Sequence, residues 1–361
     1  MKKHFSLLFV VLFFSYWAFA QDGPYILYDN DGRVEFITFD NDLIKSTKCF
    51  ADRNSIGSFT VYAQEGGYSF AVNLHRDLTI PAARYEIPEK LLAISDPHGD
   101  FVPFVSVLQG NGVIDEQLDW SFGRNHLMVL GDVSDRGDDP TALYWLIYKL
   151  EEQARVAGGC LHFLLGNHEV MVSQNDLRYT AKKFQAVAQS AGMEYYKLWG
   201  YQTELGRWIN SRNQIEVIGD NLFVHAGISP QMAAFDLKIE QINDTIRKYI
   251  ALDRKAATNS PAASLIMGTN GTLWYRGLIQ HKEDMNGSVV DGILDRFEVK
   301  RIVVGHTMIE NVTAYFNGRV VDVNVNNMRN MTRLKSRGVM ITPDGIWVVD
   351  DRGEKLLLVQ H

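Results

Sequence analysis

The chain has 361 residues, 46% of them hydrophobic, which is enough to bury the core of one large domain or two modest ones. Its net charge of −7 argues against a nucleic-acid-binding protein, but it does not exclude an anionic substrate if a metal site sets the local field. The two cysteines, Cys49 and Cys160, are expected to be free, with Cys160 a buried structural thiol; a disulfide between them is the less favoured alternative.

Residues 1–20 have the pattern of an export signal. A basic start at residues 2–4 precedes an apolar run over residues 5–17, and residues 18–20 form a small-x-small cleavage site. We predict cleavage before Gln21 and export to the periplasm or the medium, with no stable membrane insertion afterwards. Cleavage would change the net charge from −7 to −9, because the removed segment carries two lysines and no acids. An uncleaved anchor helix is the alternative, but the apolar run is shorter than the ~20 residues that span a membrane.

The next segment, residues 21–90, is predicted to be a β-rich N-terminal extension. Apolar and polar residues alternate over residues 25–28, 34–39 and 58–62, which indicates short strands separated by turns. No chemistry is identifiable in this segment.

Residues 91–166 have the pattern of a β-α-β-α-β unit, which opens a single α/β domain over residues 91–361. Right-handed crossovers of this type produce a parallel sheet, and such sheets present ligands at the carboxyl ends of their strands. The predicted strands are 91–94, 126–130 and 161–165, and the predicted helices lie near 101–108 and 141–156.

The rest of the chain is mainly helical at first and then returns to strands. An aromatic-rich stretch over residues 195–208 is expected to be core rather than a substrate platform. Strands are predicted at 214–218, 222–224 and 301–304, with a helix near 237–252 between them. Five further strands, 312–316, 320–325, 339–341, 346–349 and 356–359, are predicted to form an antiparallel finish with Asn-Gly and Asp-Gly turns.

Three short motifs follow the strands of the β-α-β-α-β unit. They are S-D-P-H-G-D at residues 95–100, G-D-V-S-D-R-G at 131–137 and G-N-H-E at 166–169. Two divalent cations held about 3.5–4 Å apart can share a hydroxide and stabilise in-line attack at phosphorus. Such a site needs hard ligands, including a carboxylate that bridges both ions. The motifs therefore predict a two-metal phosphoesterase.

Individual residues in these motifs suit individual parts of such a site. Asp96 and His98 lie two residues apart at a strand end, so both can turn to one ion. Asp132, at the next strand end, is the natural bridge, and Asn167 offers a neutral carbonyl oxygen to the second ion.

Two later histidines occupy equivalent places. His225 in F-V-H-A-G and His306 in V-V-G-H-T both follow apolar strand segments directly. Either alone would usually be a structural histidine, but the five segments in order favour a ligand role for both.

The neighbouring residues can supply the rest of phosphoryl transfer. Arg136 carries a guanidinium, which matches phosphate oxygens bidentately, and Arg276 in L-W-Y-R-G is a second candidate, or else part of a packed corner. His168 can protonate the leaving oxygen, and Asp135 can hold that imidazole in orientation.

Together these motifs resemble the calcineurin-like metallophosphoesterase superfamily, within it the phosphoprotein phosphatase type, and they are most similar to the Shewanella-like protein phosphatases. The resemblance covers roughly residues 91–325 and leaves residues 21–90 outside. It implies an α/β fold with a metallophosphoesterase-type β-sandwich core, flanking helices and helical insertions. Two departures, Ser95 for glycine and Ala226 for glycine, replace no ligand.

The resemblance also implies roles for the site residues and the cofactor. The cofactor would be two divalent metal ions, with manganese expected and iron or zinc as alternatives. The implied metal ligands are Asp96, His98, Asp132, Asn167, His225 and His306; the implied acid is His168, paired with Asp135; and the implied phosphate ligands are Arg136 and Arg276.

We therefore predict a metal-dependent phosphomonoesterase that acts on a phosphoprotein, phosphopeptide or small phosphoester. No covalent phosphoenzyme is expected, because neither cysteine has an arginine six residues on. A diadenosine tetraphosphatase-like nucleotide phosphoesterase is one alternative, since it shares the D-R-G and G-N-H-E motifs. A non-catalytic metal-bound binding protein is another, although such a protein has no need of an acid such as His168. The pattern leaves the oligomeric state and the preference between phosphotyrosine and phosphoserine or phosphothreonine open.

Overall fold

The computed structural model describes residues 22–40, 45–252, 254–282 and 285–360. The predicted export signal at residues 1–20 lies outside these ranges. Within them, no helix is both long enough and apolar enough to cross a membrane.

The described residues alternate between strands and helices along most of the chain. The strands are β1 Asp22–Tyr28, β2 Val34–Phe39, β3 Lys45–Phe50, β4 Phe59–Tyr62, β5 Ser69–Val72, β6 Arg84–Tyr85, β7 Leu91–Ile94, β8 His126–Val129, β9 Cys160–Phe163, β10 Ile215–Ile218, β11 Asn221–Val224, β12 Arg301–Val304, β13 Thr313–Tyr315, β14 Val320–Asp322, β15 Gly338–Thr342, β16 Gly345–Val349 and β17 Lys355–Gln360. The α-helices are α1 Phe101–Gly110, α2 Pro140–Val156, α3 Asn167–Ser173, α4 Lys182–Ser190, α5 Glu204–Ile209, α6 Pro230–Ala234, α7 Ile239–Tyr249, α8 Arg254–Thr258, α9 Pro261–Ile266, α10 Gly277–Gln280, α11 Gly287–Phe297 and α12 Asn327–Thr332, and short 3-10 helices span Arg53–Ser55 and Tyr195–Trp199.

Two sheets, each of six strands in the described ranges, pack face to face at the centre of the fold. One has the order β13-β14-β12-β11-β10-β6 and the other the order β17-β16-β15-β7-β8-β9. Strands β7, β8 and β9 are parallel, as the β-α-β-α-β pattern predicted. The predicted α/β fold with a β-sandwich core is confirmed.

Successive side chains of the central strands point to opposite faces of the sheet, and both faces are apolar. Each face is therefore covered by other parts of the protein. In β7, Leu91 and Ala93 point into the core between the sheets, where they meet Phe223 of the opposite sheet. Leu92 and Ile94 point the other way, into the core formed with helices α1 and α2. Because successive side chains alternate faces and all four are apolar, this strand is stable only when buried on both sides.

The N-terminal strands pack onto the same body. Tyr25, Ile37 and Phe70 belong to the apolar core that contains Trp145 of α2. The indole N–H of Trp145 also donates to the carbonyl oxygen of Pro24 at 2.9 Å. The predicted short strands of this segment are therefore present, and they cover one face of α2.

The prediction of an antiparallel finish was wrong for one strand. Strand β14 pairs with β13 in antiparallel fashion through the Asn317-Gly318 turn, but it pairs with β12 in parallel. A short apolar run has the same alternation in either orientation, so the pattern alone could not distinguish the two. The parallel pairing matters because it turns the carboxyl end of β14 toward the same edge as the carboxyl end of β12.

The cysteines and the aromatic stretch differ little from expectation. Both thiols are free; Cys49 is exposed and Cys160 is half-buried rather than fully buried. Tyr195, Trp199 and Trp208 are buried in the core, as expected.

A buried ion pair joins the two sheets outside the predicted site. His162 Nδ1 of β9 lies 2.6 Å from Glu216 Oε2 of β10, and both side chains are 1% exposed. Burial is the largest single influence and would lower the pKa of His162, but Glu216 and Cys160 together outweigh it and raise this pKa to about 10. Because the folded-state pKa is raised, the pair stabilises the protein fully below about pH 6.5, the unfolded value, and loses that contribution as the pH rises through about 10.

We expect His162→Gln to lower the free energy of unfolding by about 3–5 kcal/mol at pH 6, because it leaves a buried carboxylate unpaired. The difference from the unsubstituted protein should shrink steadily above pH 6.5. Urea unfolding at pH 6, 8 and 10 measures this difference in the free energy of unfolding. His281→Gln is the control, because His281 is exposed. A difference that stayed constant with pH would contradict the assignment.

Candidate active site

Polar side chains follow strands of both sheets at one shared edge of the sandwich. A cavity of about 210 Å³ opens there, between the carboxyl ends of β7, β8 and β9 and those of β12 and β14. Every predicted site residue lies at this cavity or directly behind one of its walls. Its lining includes Asp96, His98, Asp132, Arg136, Asn167, His168, Arg276 and His306, together with Tyr179, Trp274, Met308 and Asn324.

The backbone is strained where it presents these groups. Asp96, Asp132 and His306 have φ values of 50°, 55° and 62°, and Asp135 and Arg136 are also in the left-handed region. Such conformations cost non-glycine residues of order 1–3 kcal/mol each and persist only where the surroundings impose them. The turns after the strands are therefore held by tertiary contacts.

Two glycines allow the segments to approach closely. A Cβ atom at Gly166 would collide with the Asp132 carboxylate, and one at Gly305 would collide with Ser95 Oγ. Glycine in G-N-H-E and in V-V-G-H-T is thus a steric requirement of the site.

The carboxylate of Asp132 lies at the centre of the site. Its Oδ2 is 3.7 Å from His98 Nε2, 3.9 Å from His168 Nε2 and 3.4 Å from His225 Nε2. Burial alone would raise the pKa of Asp132, but His225 and His168 hold it well below its usual range. An ionised carboxylate surrounded by imidazoles from three separate segments is the arrangement that a bridging ligand requires.

Two of these histidines are oriented as metal ligands usually are. His98 Nδ1 lies 2.9 Å from the carbonyl oxygen of Ser134, and His225 Nδ1 lies 2.6 Å from that of Leu130. A ring nitrogen that bonds a carbonyl fixes the tautomer and leaves Nε2 as the ligand atom. His225 Nε2 also lies 3.0 Å from Asn167 Oδ1, so these two groups converge.

His306 gives the clearest sign that a cation belongs here. Its Nε2 is buried and has no hydrogen-bond partner among the described residues. Burial lowers the pKa of His306 to about 2, so the imidazole is neutral, which is the form that binds metals. Ligand atoms of Asp132, His225 and His306 lie within 4.8 Å of one another, as do those of His98, Asp132 and His168. The donor set therefore fits two divalent cations.

Asp96 is held by a residue that carried no signal in the sequence analysis. Asn324 Nδ2 donates to Asp96 Oδ2 at 2.7 Å, while the backbone N–H of His306 lies 3.2 Å from Asp96 Oδ1. Asn324 follows β14, and it reaches Asp96 because β14 is parallel to β12. Asn324 could have been placed at the site from the sequence only if the parallel pairing of β14 with β12 had been predicted.

His168 forms a pair with Asp135. His168 Nδ1 lies 2.7 Å from Asp135 Oδ2, and Thr180 Oγ1 donates to Asp135 Oδ1 at 2.5 Å. Burial alone would lower the pKa of His168, but Asp132 and the hydrogen bond to Asp135 raise it above its ordinary value. His168 Nε2 is also near Asp132, but His168 Nδ1 meets a carboxylate, whereas the Nδ1 atoms of His98 and His225 meet backbone carbonyl oxygens. A carboxylate on Nδ1 stabilises an imidazolium, which suits a proton donor.

The two arginines are presented differently. The Arg136 guanidinium is 5.7 Å from the ring centroid of Tyr179 and has no hydrogen-bond acceptor among the described residues, so its N–H groups can receive an anion. Arg276 is half-buried, and its Nη1 donates to the carbonyl oxygen of His306 at 2.6 Å. That bond places a fixed positive charge next to the histidine cluster.

Glu169, the last residue of G-N-H-E, was given no role in the sequence analysis but joins two of the site turns. Its carboxylate accepts from the backbone N–H groups of Asp132, Val133 and Ser134 at 2.9–3.0 Å, and from that of Gly166 at 2.8 Å. Its place in the G-N-H-E motif was visible in the sequence, but the backbone N–H donors that it binds on the β8 turn were not.

A larger cavity, about 420 Å³, lies near the amino end of β9. Its buried charged groups are paired with each other, as in His162 with Glu216 and Arg212 with Glu151. Charged groups that are already paired with each other are not available to bind a ligand. The larger volume of this cavity therefore does not make it the functional site.

Comparison with known proteins agrees with the geometry. The sequence model of the calcineurin-like phosphoesterase family matches residues 89–310. An uncharacterised protein of Schizosaccharomyces pombe is 30% identical over 66% of this chain and 73% of its own length. Shewanella-like protein phosphatase 2 of Arabidopsis thaliana is 26% identical over 67% of this chain and 72% of its own length.

A solved structure, the cold-active protein-tyrosine phosphatase of a psychrophilic Shewanella species, is also similar. It is 29% identical, has a TM-score of 0.84, and covers 94% of this chain and 99% of its own. The family model begins at residue 89 and leaves residues 21–88 outside it, although a coverage of 94% means that the Shewanella structure also matches part of that segment. From its motifs, its site geometry and these relatives, the chain is a phosphoester hydrolase that belongs to the calcineurin-like phosphoesterase family.

Proposed function

We propose that this chain is a protein phosphatase that hydrolyses phosphate monoesters of tyrosine, of serine and threonine, or of both. The observation that carries the proposal is the Asp132 carboxylate, which lies within 3.4–3.9 Å of three imidazole nitrogens beside the His168–Asp135 pair. That combination provides both a metal-binding centre and a proton donor for a leaving group.

In this proposal the metal ligands divide into two sets around Asp132. Asp96 and His98 would hold one cation, Asn167 with His225 and His306 would hold the other, and Asp132 would be available to both. Divalent cations, of which we propose manganese, would supply charge neutralisation and a nucleophile at neutral pH. The unpartnered Nε2 of His306 supports this division.

The remaining residues bind the phosphoryl group and transfer a proton. Arg136 and Arg276 bind the phosphoryl oxygens and neutralise the negative charge that develops on them. His168 donates the proton on Nε2 to the leaving oxygen, and Asp135 stabilises the imidazolium from the Nδ1 side. No side chain becomes phosphorylated, so the phosphate leaves after one displacement.

The names of the relatives support a phosphoprotein substrate. One relative is called a protein phosphatase and the similar solved structure a protein-tyrosine phosphatase. The cavity supports the same choice over a dinucleotide, because about 210 Å³ with two arginines suits one phosphoryl group better than a chain of several.

Turnover by metal-stripped protein, before and after addition of Mn²⁺, tests the proposal. The substrates are p-nitrophenyl phosphate, diadenosine tetraphosphate, and one peptide phosphorylated in turn on tyrosine and on serine. We expect Mn²⁺-dependent turnover of p-nitrophenyl phosphate and at least one phosphopeptide. Turnover of the dinucleotide alone would contradict the proposal and favour a nucleotide phosphoesterase.

A further inference from the structure

Three apolar or aromatic side chains form the lip of the active-site cavity. Tyr179 and Met308 are 47% and 54% exposed, and Trp274 is half-buried; all three line the cavity above its charged floor. None of the three has a part in the proposed chemistry.

The backbone segment that carries Tyr179 is bonded to two other parts of the site. Its carbonyl oxygen accepts from the backbone N–H of Arg136 at 3.2 Å, and the next residue, Thr180, is buried and bonded to Asp135. The segment that carries Tyr179 is therefore attached to both the phosphate-binding arginine and the partner of the proton donor.

The ring of Tyr179 is also held in place on its own. The guanidinium groups of Arg136 and Arg178 each lie 5.7 Å from its centroid, and Arg178 is itself fixed by two 2.8 Å hydrogen bonds to Asp176. A ring that already has such contacts before substrate arrives loses less freedom when a second ring packs against it than a ring without them.

The position of Tyr179 coincides with the side on which the ester group must leave. Its ring centroid is 5.1 Å from that of His168, whose Nε2 would protonate the leaving oxygen. A phosphorylated side chain attached to that oxygen must therefore pass beside Tyr179. A phenolic leaving group places an aromatic ring there, whereas a serine leaving group places only a methylene.

We propose that Tyr179 is a specificity-determining residue that selects phosphotyrosine over phosphoserine by packing against the phenolic ring of the substrate. This inference rests on the proposed function and identifies which substrate class the same site prefers. Aromatic pairs contribute beyond their buried area, so the expected preference from this contact is about tenfold in kcat/KM.

The decisive experiment compares one peptide carrying phosphotyrosine or phosphoserine at the same position, with the Mn²⁺-loaded full chain. Tyr179→Leu should lower the ratio of the two kcat/KM values about tenfold, while Tyr179→Phe, which keeps the ring, should restore most of it. Tyr201→Leu is the matched control, because Tyr201 is 52% exposed and does not line the cavity. Its ratio should equal that of the unsubstituted protein.

An unchanged ratio in Tyr179→Leu, or no preference for phosphotyrosine in the unsubstituted protein, would overturn the inference while leaving the proposed function intact. Equal losses on both peptides would also overturn it, since Tyr179 would then act only by positioning Arg136.

Binding of non-hydrolysable phosphonates tests the contact with Tyr179 without requiring turnover. It therefore distinguishes a failure of the inference about Tyr179 from a failure of the proposed phosphatase function. Phenylphosphonate should bind the Mn²⁺-loaded protein about tenfold more tightly than ethylphosphonate in calorimetry, and Tyr179→Leu should abolish the difference. If the protein turned over no peptide and bound both phosphonates equally, both proposals would fall. If the protein turned over the peptides but bound both phosphonates equally, only the inference about Tyr179 would fall.

Discussion

Asp132→Asn is expected to reduce kcat/KM by roughly 10³–10⁴-fold, the range that loss of one member of a catalytic unit costs. The side chain keeps its size but loses the charge that three imidazole nitrogens surround at 3.4–3.9 Å. Because a neutral amide bridges two cations poorly, the variant should also bind fewer than two metal ions per chain. Metal analysis of the dialysed protein and turnover of p-nitrophenyl phosphate measure the two effects.

Asp138→Asn is the matched control for this change. Asp138 lies on the same turn, but its side chain is 55% exposed and pairs with Lys183 outside the metal-binding cluster. This control should retain both metals and nearly full activity. An Asp132→Asn variant that kept two metal ions and its turnover would show that another group is the bridge.

His168→Asn is expected to lower kcat by about 10²–10⁴-fold, as for loss of a general acid, while the metal content stays unchanged. The loss should depend on the leaving group. An alkyl phosphate, whose alkoxide must be protonated, should lose far more activity than p-nitrophenyl phosphate, whose phenolate leaves without help. Turnover of the two substrates in parallel, together with metal analysis, measures this dependence.

The dependence of kcat on pH is an independent test of His168 as the proton donor. The hydrogen bond to Asp135 raises the pKa of His168 and so favours its protonated form, and kcat should decline as the pH rises and His168 loses that proton. That decline should be absent in His168→Asn. Loss of a metal ion in the variant, or equal losses on both substrates, would identify His168 as a ligand, which its proximity to His98 and Asp132 also allows.

Much of the fold could be predicted because its signals are local. The apolar runs that became β7, β8 and β9 are separated by helical patterns, and that order leaves few topologies once crossovers are right-handed. The same argument located Asp96, Asp132 and Asn167 together, since residues directly after parallel strands emerge at one edge. Even the helix predicted near 141–156 was observed within one residue, as α2.

The contacts that complete the site could not be predicted in this way, because they join segments far apart in the chain. Asn324 bonds Asp96 across 228 residues, through a strand whose parallel pairing its alternation does not reveal. Glu169 lies in a recognised motif, yet the N–H groups that it binds belong to the β8 turn. Tyr179 lies in a segment with no motif, and only packing brings its ring to His168.

The sequence alone therefore predicted the class of fold, the type of reaction and which residues gather at the site, because strand-end motifs place their side chains by local geometry. Only the tertiary structure decided which groups orient those ligands and which side chains border the leaving group. These depend on how the two sheets are paired and on what packs over their shared edge, which are long-range properties that no short pattern encodes.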